Sequence, residues 1–175
     1  MKGFSPLRIG IDGFNLAMVR GTGVATYART LSHCLEQMGH HVDVLYGMDI
    51  TRYMSSSLRE VMFFDRLGQD IPQRRTKLFS ARWWQNRRSD FLGEEAVTIP
   101  ISGRVEARSF INRLPAYDRL LNAPFLFEKA AKRYRTFKRF TPLSIPNPPQ
   151  IMHWTYPLPI YLKGAINIYT MHDLV

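Results

Sequence analysis

Apolar and polar positions along this chain switch between two periods. Leu7–Asp12 reads LRIGID, a short run with two isoleucines that Gly13 stops, and it predicts a buried strand. A polar, glycine-bearing loop from Gly13 to Gly23 follows. From Val24 to Met38 the period changes: Val24, Tyr27, Leu31, Leu35 and Met38 recur at spacings of three and four, the apolar stripe of one helix. Thr22 is placed to cap its start. Gly39 suits its end, because glycine enters left-handed geometry without steric cost. His41–Tyr46 (HVDVLY) returns to strand composition. Strand, helix, strand in so short a span is the βαβ unit, so the expected fold is α/β: a Rossmann-like, doubly wound parallel sheet.

From Asp49 to about Gly103 the periodicity weakens, and Ser55–Ser57, Arg74–Lys77 and Arg82–Arg88 read as loops and helix fragments. Two helices are expected beyond it: Val105–Asn122, broken near Pro115, and Phe125–Phe140. Pro142–Pro149 (PLSIPNPP) predicts a stiff, extended connector. Ile151–Trp154 and Ala165–Met171 resume strand composition. The chain then stops at Val175, just after His172-Asp173-Leu174. Ligands of open α/β sheets bind beyond the carboxyl ends of strands, so the expectation is a truncated chain that ends where a site begins.

At 175 residues the chain has room for one ordinary domain, and 45% hydrophobic against 22% charged residues excludes a disordered tail. Its one cysteine, Cys34, has no internal disulfide partner and is expected as a small buried hydrophobe on the first helix. The N-terminus lacks the uninterrupted apolar run of a secretory signal, and the late apolar stretch Tyr156–Leu162 is short and holds prolines. A cytoplasmic protein is the default expectation. The net charge of +10 favours an anionic partner: nucleic acid, a membrane surface or a phosphate-bearing substrate.

The candidate chemistry begins at Arg20-Gly21-Thr22-Gly23, where the first helix starts. Glycines let backbone approach a ligand closely, and a helix N-terminus offers free N–H groups and the positive end of its dipole, which suits a phosphate or carboxylate. A glycine loop that merely makes a turn is the bland alternative. A dinucleotide fingerprint is not met, because Gly21-Thr22-Gly23-Val24-Ala25 is followed by Thr26 and residues 13–20 separate it from the strand. No Gly-Lys-Ser/Thr is present, which excludes a Walker loop. At the far end, His172-Asp173 is either a functional pair or a hydrogen-bonded strand terminus. No metal-ligand spacing accompanies it, with His153 as its sole neighbour in the strand pattern, and no G-x-S-x-G elbow supports a hydrolytic triad.

Taken together, Arg8-Ile9-Gly10-Ile11-Asp12, Gly21-Thr22-Gly23-Val24-Ala25-Thr26-Tyr27 with Leu31, and Gly39-His40-His41-Val42 resemble the opening of family 4 glycosyltransferases. Those are retaining enzymes of GT-B architecture, many of them mannosyltransferases. His153-Trp154, Tyr156–Leu162 and Ile168-Tyr169-Thr170-Met171-His172-Asp173-Leu174 are similar to that family's late N-domain strands and its T-x-H-D-L element. The resemblance covers the two ends and leaves a basic, helical middle, about residues 50–150, unmatched. Ala25-Thr26 stands where the family more often has Gly-Arg.

The resemblance implies that residues 1–175 form the N-terminal, acceptor-side lobe of a two-lobed enzyme, and that a C-terminal donor-binding domain is missing. It implies a nucleotide-sugar donor, a glycan or lipid-linked acceptor, and no cofactor or metal. Gly21, Thr22 and Gly23 would face the donor phosphates or an acceptor anion. His172 would reach the transferred sugar, with Asp173 orienting the strand end. On this reading the fragment alone does not turn over.

The basic middle keeps a second reading open. Arg82, Arg87 and Arg88 flank Trp83-Trp84, a mixture that suits nucleic acid or a membrane interface. The expected helix from Phe125 carries Leu126, Phe127, Ala130, Tyr134 and Phe137 as one stripe, with Lys129, Lys132, Arg135 and Arg139 mostly opposite. Such a helix packs on a core, docks peripherally on the cytoplasmic face of a membrane, or meets another polyanion. A non-enzymatic basic module is therefore the rival class. Nucleic acid is the less favoured partner, since no recognised binding motif is present.

Overall fold

A computed structural model describes residues 5–18, 23–51, 53–67, 93–102 and 114–172. Among them the chain is mixed α/β and mostly parallel. Strand β1 (Arg8–Asp12) leads through helix α1 (Gly23–Gln37) to β2 (His41–Tyr46), then to α2 (Ser56–Arg66). Short strands β3 (Glu94–Glu95) and β4 (Val97–Ile99) precede β5 (Arg119–Asn122) and α3 (Leu126–Phe137). The remaining strands are β6 (Thr141–Ser144), β7 (Ile151–Trp154), β8 (Ile160–Leu162) and β9 (Ile166–Tyr169).

Six strands form one sheet in the order β4-β5-β2-β1-β7-β9, and only β4 runs antiparallel to its neighbour. The five parallel strands, taken in chain order, lie 3-2-1-4-5, the order of a doubly wound sheet. Three further strands make a small parallel sheet, β3-β6-β8. Adjacent residues of the large sheet feed two cores. Val44, Tyr46 and Leu120 join Ile11 and the α1–α2 side, with Phe63 and Phe64. Leu45, Leu121, Met152 and Trp154 face α3 and the small sheet through Leu126, Phe127, Leu143 and Ile160.

Several expectations are corrected. Arg119–Asn122, expected inside a helix, is a strand, and Leu114–Asp118 before it is not helical. Leu120 and Leu121 are adjacent yet bury into opposite cores, which only a strand permits. The proline connector begins as a strand, β6. Thr141 N–H donates to Pro159 O and Leu143 O accepts from Lys163 N–H, so both point at β8. Pro142 therefore turns its donor-less nitrogen to the opposite side, where β3 pairs only with Leu143 and Ser144.

Helix α1 matches in place and in part of its face, since Leu31 and Leu35 of the expected stripe pack on the core. Ala25, Ala28 and Ser32 are its buried residues, while Tyr27 and Met38 are exposed. Small side chains bring the helix close to the sheet, and Ser32 Oγ accepts the Ala116 N–H at 2.9 Å. Cys34 lies off that face and is exposed, against expectation. Gly39 has φ +81°, the left-handed geometry foreseen for it. Helix α3 ends early because Lys138 turns left-handed (φ 54°) and donates its N–H to Tyr134 O. Near one rim, an ionic knot ties the sheet. Fully buried Asp43 accepts from Arg8 Nη1 at 2.9 Å and from the Arg119 fork, whose Nη2 also holds Asn147 O at 2.9 Å.

Candidate functional site

In this sheet the chain builds outward from β1 to β2 and β5, then returns to the other side of β1 as β7 and β9. The carboxyl ends of β1 and β7 thus face the reversal point, where open α/β sheets present their ligand crevice. Three segments meet there. Asp12 ends β1, Thr155 follows β7, and Thr170–His172 follows β9.

Asp12 is fully buried. Its Oδ2 accepts from the Thr155 backbone N–H and from Thr155 Oγ1 at 2.8 Å, and its Oδ1 accepts from Phe14 N–H at 3.2 Å. Burial pushes its pKa up to about 6, although those three bonds pull the other way. Gly13 makes this strand end possible. A Cβ there would lie 2.7 Å from the Tyr46 ring and 3.0 Å from Leu45 O.

The same threonine holds the C-terminal element. Thr155 O accepts from His172 Nε2 at 2.8 Å. A carbonyl only accepts, so Nε2 carries a proton. No bond to Nδ1 is present among the described residues. Two more bonds fix the segment to β7: Thr170 N–H to Trp154 O at 2.9 Å, and Thr170 Oγ1 with His153 Nε2 at 2.7 Å. Burial lowers the His153 pKa from its ordinary value, because a half-buried ring disfavours the charged form.

Tyr27 closes the cluster from α1. Its ring meets His172 edge-on, with centroids 5.4 Å apart at 80°, and its hydroxyl lies 3.5 Å from His153 Nε2. Tyr27 sits one turn into α1 from Gly23, about 6 Å along the axis. Gly23 itself is exposed, and a Cβ there would have no atom within 4 Å. The structure therefore brings His172 and the Gly23 helix start to one rim.

Gly21, Thr22 and Asp173, and the basic–aromatic set Arg82, Trp83, Trp84, Arg87 and Arg88, lie outside the described residues. Lys129 points its ammonium at buried Glu94, 2.8 Å away, and so is held in an ion pair on α3. Lys132, one turn on, is exposed. Sequence reading gave no site role to Asp12, Thr155, His153 or Tyr27, although Asp12, Tyr27 and His153 stand in the motifs that carry the resemblance. Asp12 and Thr155 meet across 143 positions, and Tyr27 had been assigned to a core stripe.

No family model, curated protein or solved structure matches this chain. Among the described residues, no group of three or more His, Cys, Asp or Glu is placed to hold a metal ion, and no helix is long and apolar enough to cross a membrane. The rim combines a helix start, the His172 imidazole and an aromatic edge. Helix starts and imidazoles suit contacts to anions and hydroxyls.

Proposed function

We propose that this chain is the acceptor-side lobe of a nucleotide-sugar-dependent, retaining glycosyltransferase of GT-B architecture, as its resemblance to family 4 implies. One observation carries the reading. Tyr27, from the glycine-led helix, packs on His172, from the T-x-H element, so two motifs at opposite ends of the chain share one rim. In this reading a second lobe grips the nucleotide. The α1 start at Gly23 meets a phosphate or an acceptor anion through backbone N–H groups, stabilised by the helix dipole.

His172 then accepts a hydrogen bond from a sugar hydroxyl at Nδ1. Asp12 and Thr155 act behind it as positioning residues, since Thr155 O fixes both the ring and its tautomer. Diphosphate departure is assisted by preorganised dipoles and cations, not by a metal. The proposed site of action is the cytoplasm.

The test is nucleoside diphosphate release by the natural protein from a panel of nucleotide sugars, with glycan and lipid-linked hydroxyl acceptors present to receive the sugar. His172→Ala and Gly23→Val should each lower release by about 100-fold, the scale of losing one well-placed polar contact to the transition state. Gly23 is open to solvent, so its substitution probes the ligand rather than the fold. Near-normal release by both variants would overturn the site, and no release from any nucleotide sugar would overturn the reading.

A further inference from the structure

Helix α3 does not bury its whole apolar stripe. Leu126, Phe127 and Ala130 enter the core, but Tyr134, Phe137 and Phe140 beyond them are exposed, Phe137 to 60%. These rings form a ridge. Tyr134 meets Phe140 edge-on at 5.9 Å, and Phe140 meets Tyr169 of β9 at 6.3 Å. The ridge is thus braced on the large sheet, and Phe137, the last residue of α3, is the most exposed of the three rings.

Beyond Glu128 in its first turn, the charge on and after α3 has one sign. Seven Lys or Arg and no Asp or Glu occur from Lys129 to His172. Lys129 is paired with Glu94, whereas Lys132, Arg135, Lys138 and Arg139 are exposed, with no acidic partner among the described residues. The Lys138 ammonium lies 5.8 Å over the Tyr134 ring. That arrangement separates the two candidate polyanions. Stacking on nucleic-acid bases needs free ring faces, but Tyr134 has a cation over its face and Phe140 is packed between two aromatics. Insertion into a headgroup layer needs a protruding apolar tip with cations at its sides, which Phe137 and its neighbours supply.

We propose that the C-terminal half of α3 and Phe140 form a docking surface for an anionic lipid bilayer, with Phe137 inserted among the acyl chains. The cations beside it contact the headgroups. This inference is independent of the transferase reading, since it rests on a different face and its test reads no transfer.

The experiment is cosedimentation of the whole chain with vesicles of phosphatidylcholine, pure or with a third phosphatidylglycerol. The chain should pellet with the anionic vesicles and remain in solution with the neutral ones, and added salt should release it. Each cation near such a surface contributes about fivefold in partitioning, so Arg135→Gln with Arg139→Gln should weaken it about 25-fold. Phe137→Ser should weaken it about tenfold by removing the inserted ring. Both changes lie on an exposed surface, and an unchanged thermal transition by circular dichroism confirms the fold. Equal pelleting with both vesicle types, or full anionic binding by Phe137→Ser, would overturn the proposal. So would displacement by single-stranded RNA together with insensitivity to Phe137→Ser, which would mark a nucleic-acid surface instead.

Discussion

Replacing Asp12 by asparagine should change how stability depends on pH, and the size follows from burial. The Asp12 carboxyl titrates at about 6 in the fold against 3.8 in the unfolded chain. The folded state therefore binds its proton more tightly, and stability present below 3.8 is lost as pH rises through about 6. A shift of about two units is worth about 3 kcal/mol, which is what ionised Asp12 costs the fold near neutral pH. The substituted asparagine does not ionise, so that cost disappears. Its amide must present an N–H to one of the donors from Thr155 or Phe14, an offset that does not vary with pH.

His153 contributes in the opposite sense. Its lowered pKa means stability is lost as pH falls below its ordinary value of 6.5, but that contribution is common to both proteins and cancels in their difference. The assay is urea unfolding of wild type and Asp12→Asn at a series of pH values from below 3.8 to above 6. The variant should gain about 3 kcal/mol on the wild type across that window. Parallel stability curves would refute the argument, because Asp12 would then be ionised as easily inside the fold as outside it.

Two other substitutions test the packing. The Tyr46 hydroxyl is buried without a hydrogen-bond partner among the described residues, so Tyr46→Phe should leave stability unchanged or raise it by about 1 kcal/mol in urea unfolding. Asp43→Ala strands Arg8 and Arg119 beside an apolar sheet and frees the Asn147 turn; a loss of about 3 kcal/mol is expected by the same measurement, and Asp43→Asn should recover part of it.

The parts of the fold legible in the sequence are those whose period is long or whose ends are punctuated. In the first βαβ unit Gly13 stops the strand and Gly39 ends the helix; the left-handed turn at Gly39 is the one its position implies, while the close approach of Gly13 to Tyr46 is visible only in the structure. Strand β5 was not legible, because four residues with two adjacent leucines fit either period equally well. Strand β6 was hidden by Pro142, whose effect depends on which side its missing N–H faces. The buried face of α1 was legible only in part, at Leu31 and Leu35, for another reason. Reading by hydrophobicity selects large side chains such as Tyr27 and Met38, whereas close helix–sheet contact selects Ala25, Ala28 and Ser32.

For the candidate site, His172 and the glycine loop stood out as motifs. Their supports did not. Thr155 and Asp12 are ordinary residues whose role arises only from a contact between distant strands.

The most direct measurement of the central claim is the nitrogen NMR spectrum of the His172 ring, recorded on the whole chain as nucleotide sugars are added. The ring should carry a proton at Nε2, its Nδ1 resonance should shift on addition of a sugar nucleotide, and the Gly23 amide should shift in the same titration, with a dissociation constant on the order of millimolar for one lobe acting alone. A ring whose only proton is at Nδ1, or a His172 resonance unmoved by every nucleotide sugar, would contradict the proposed site.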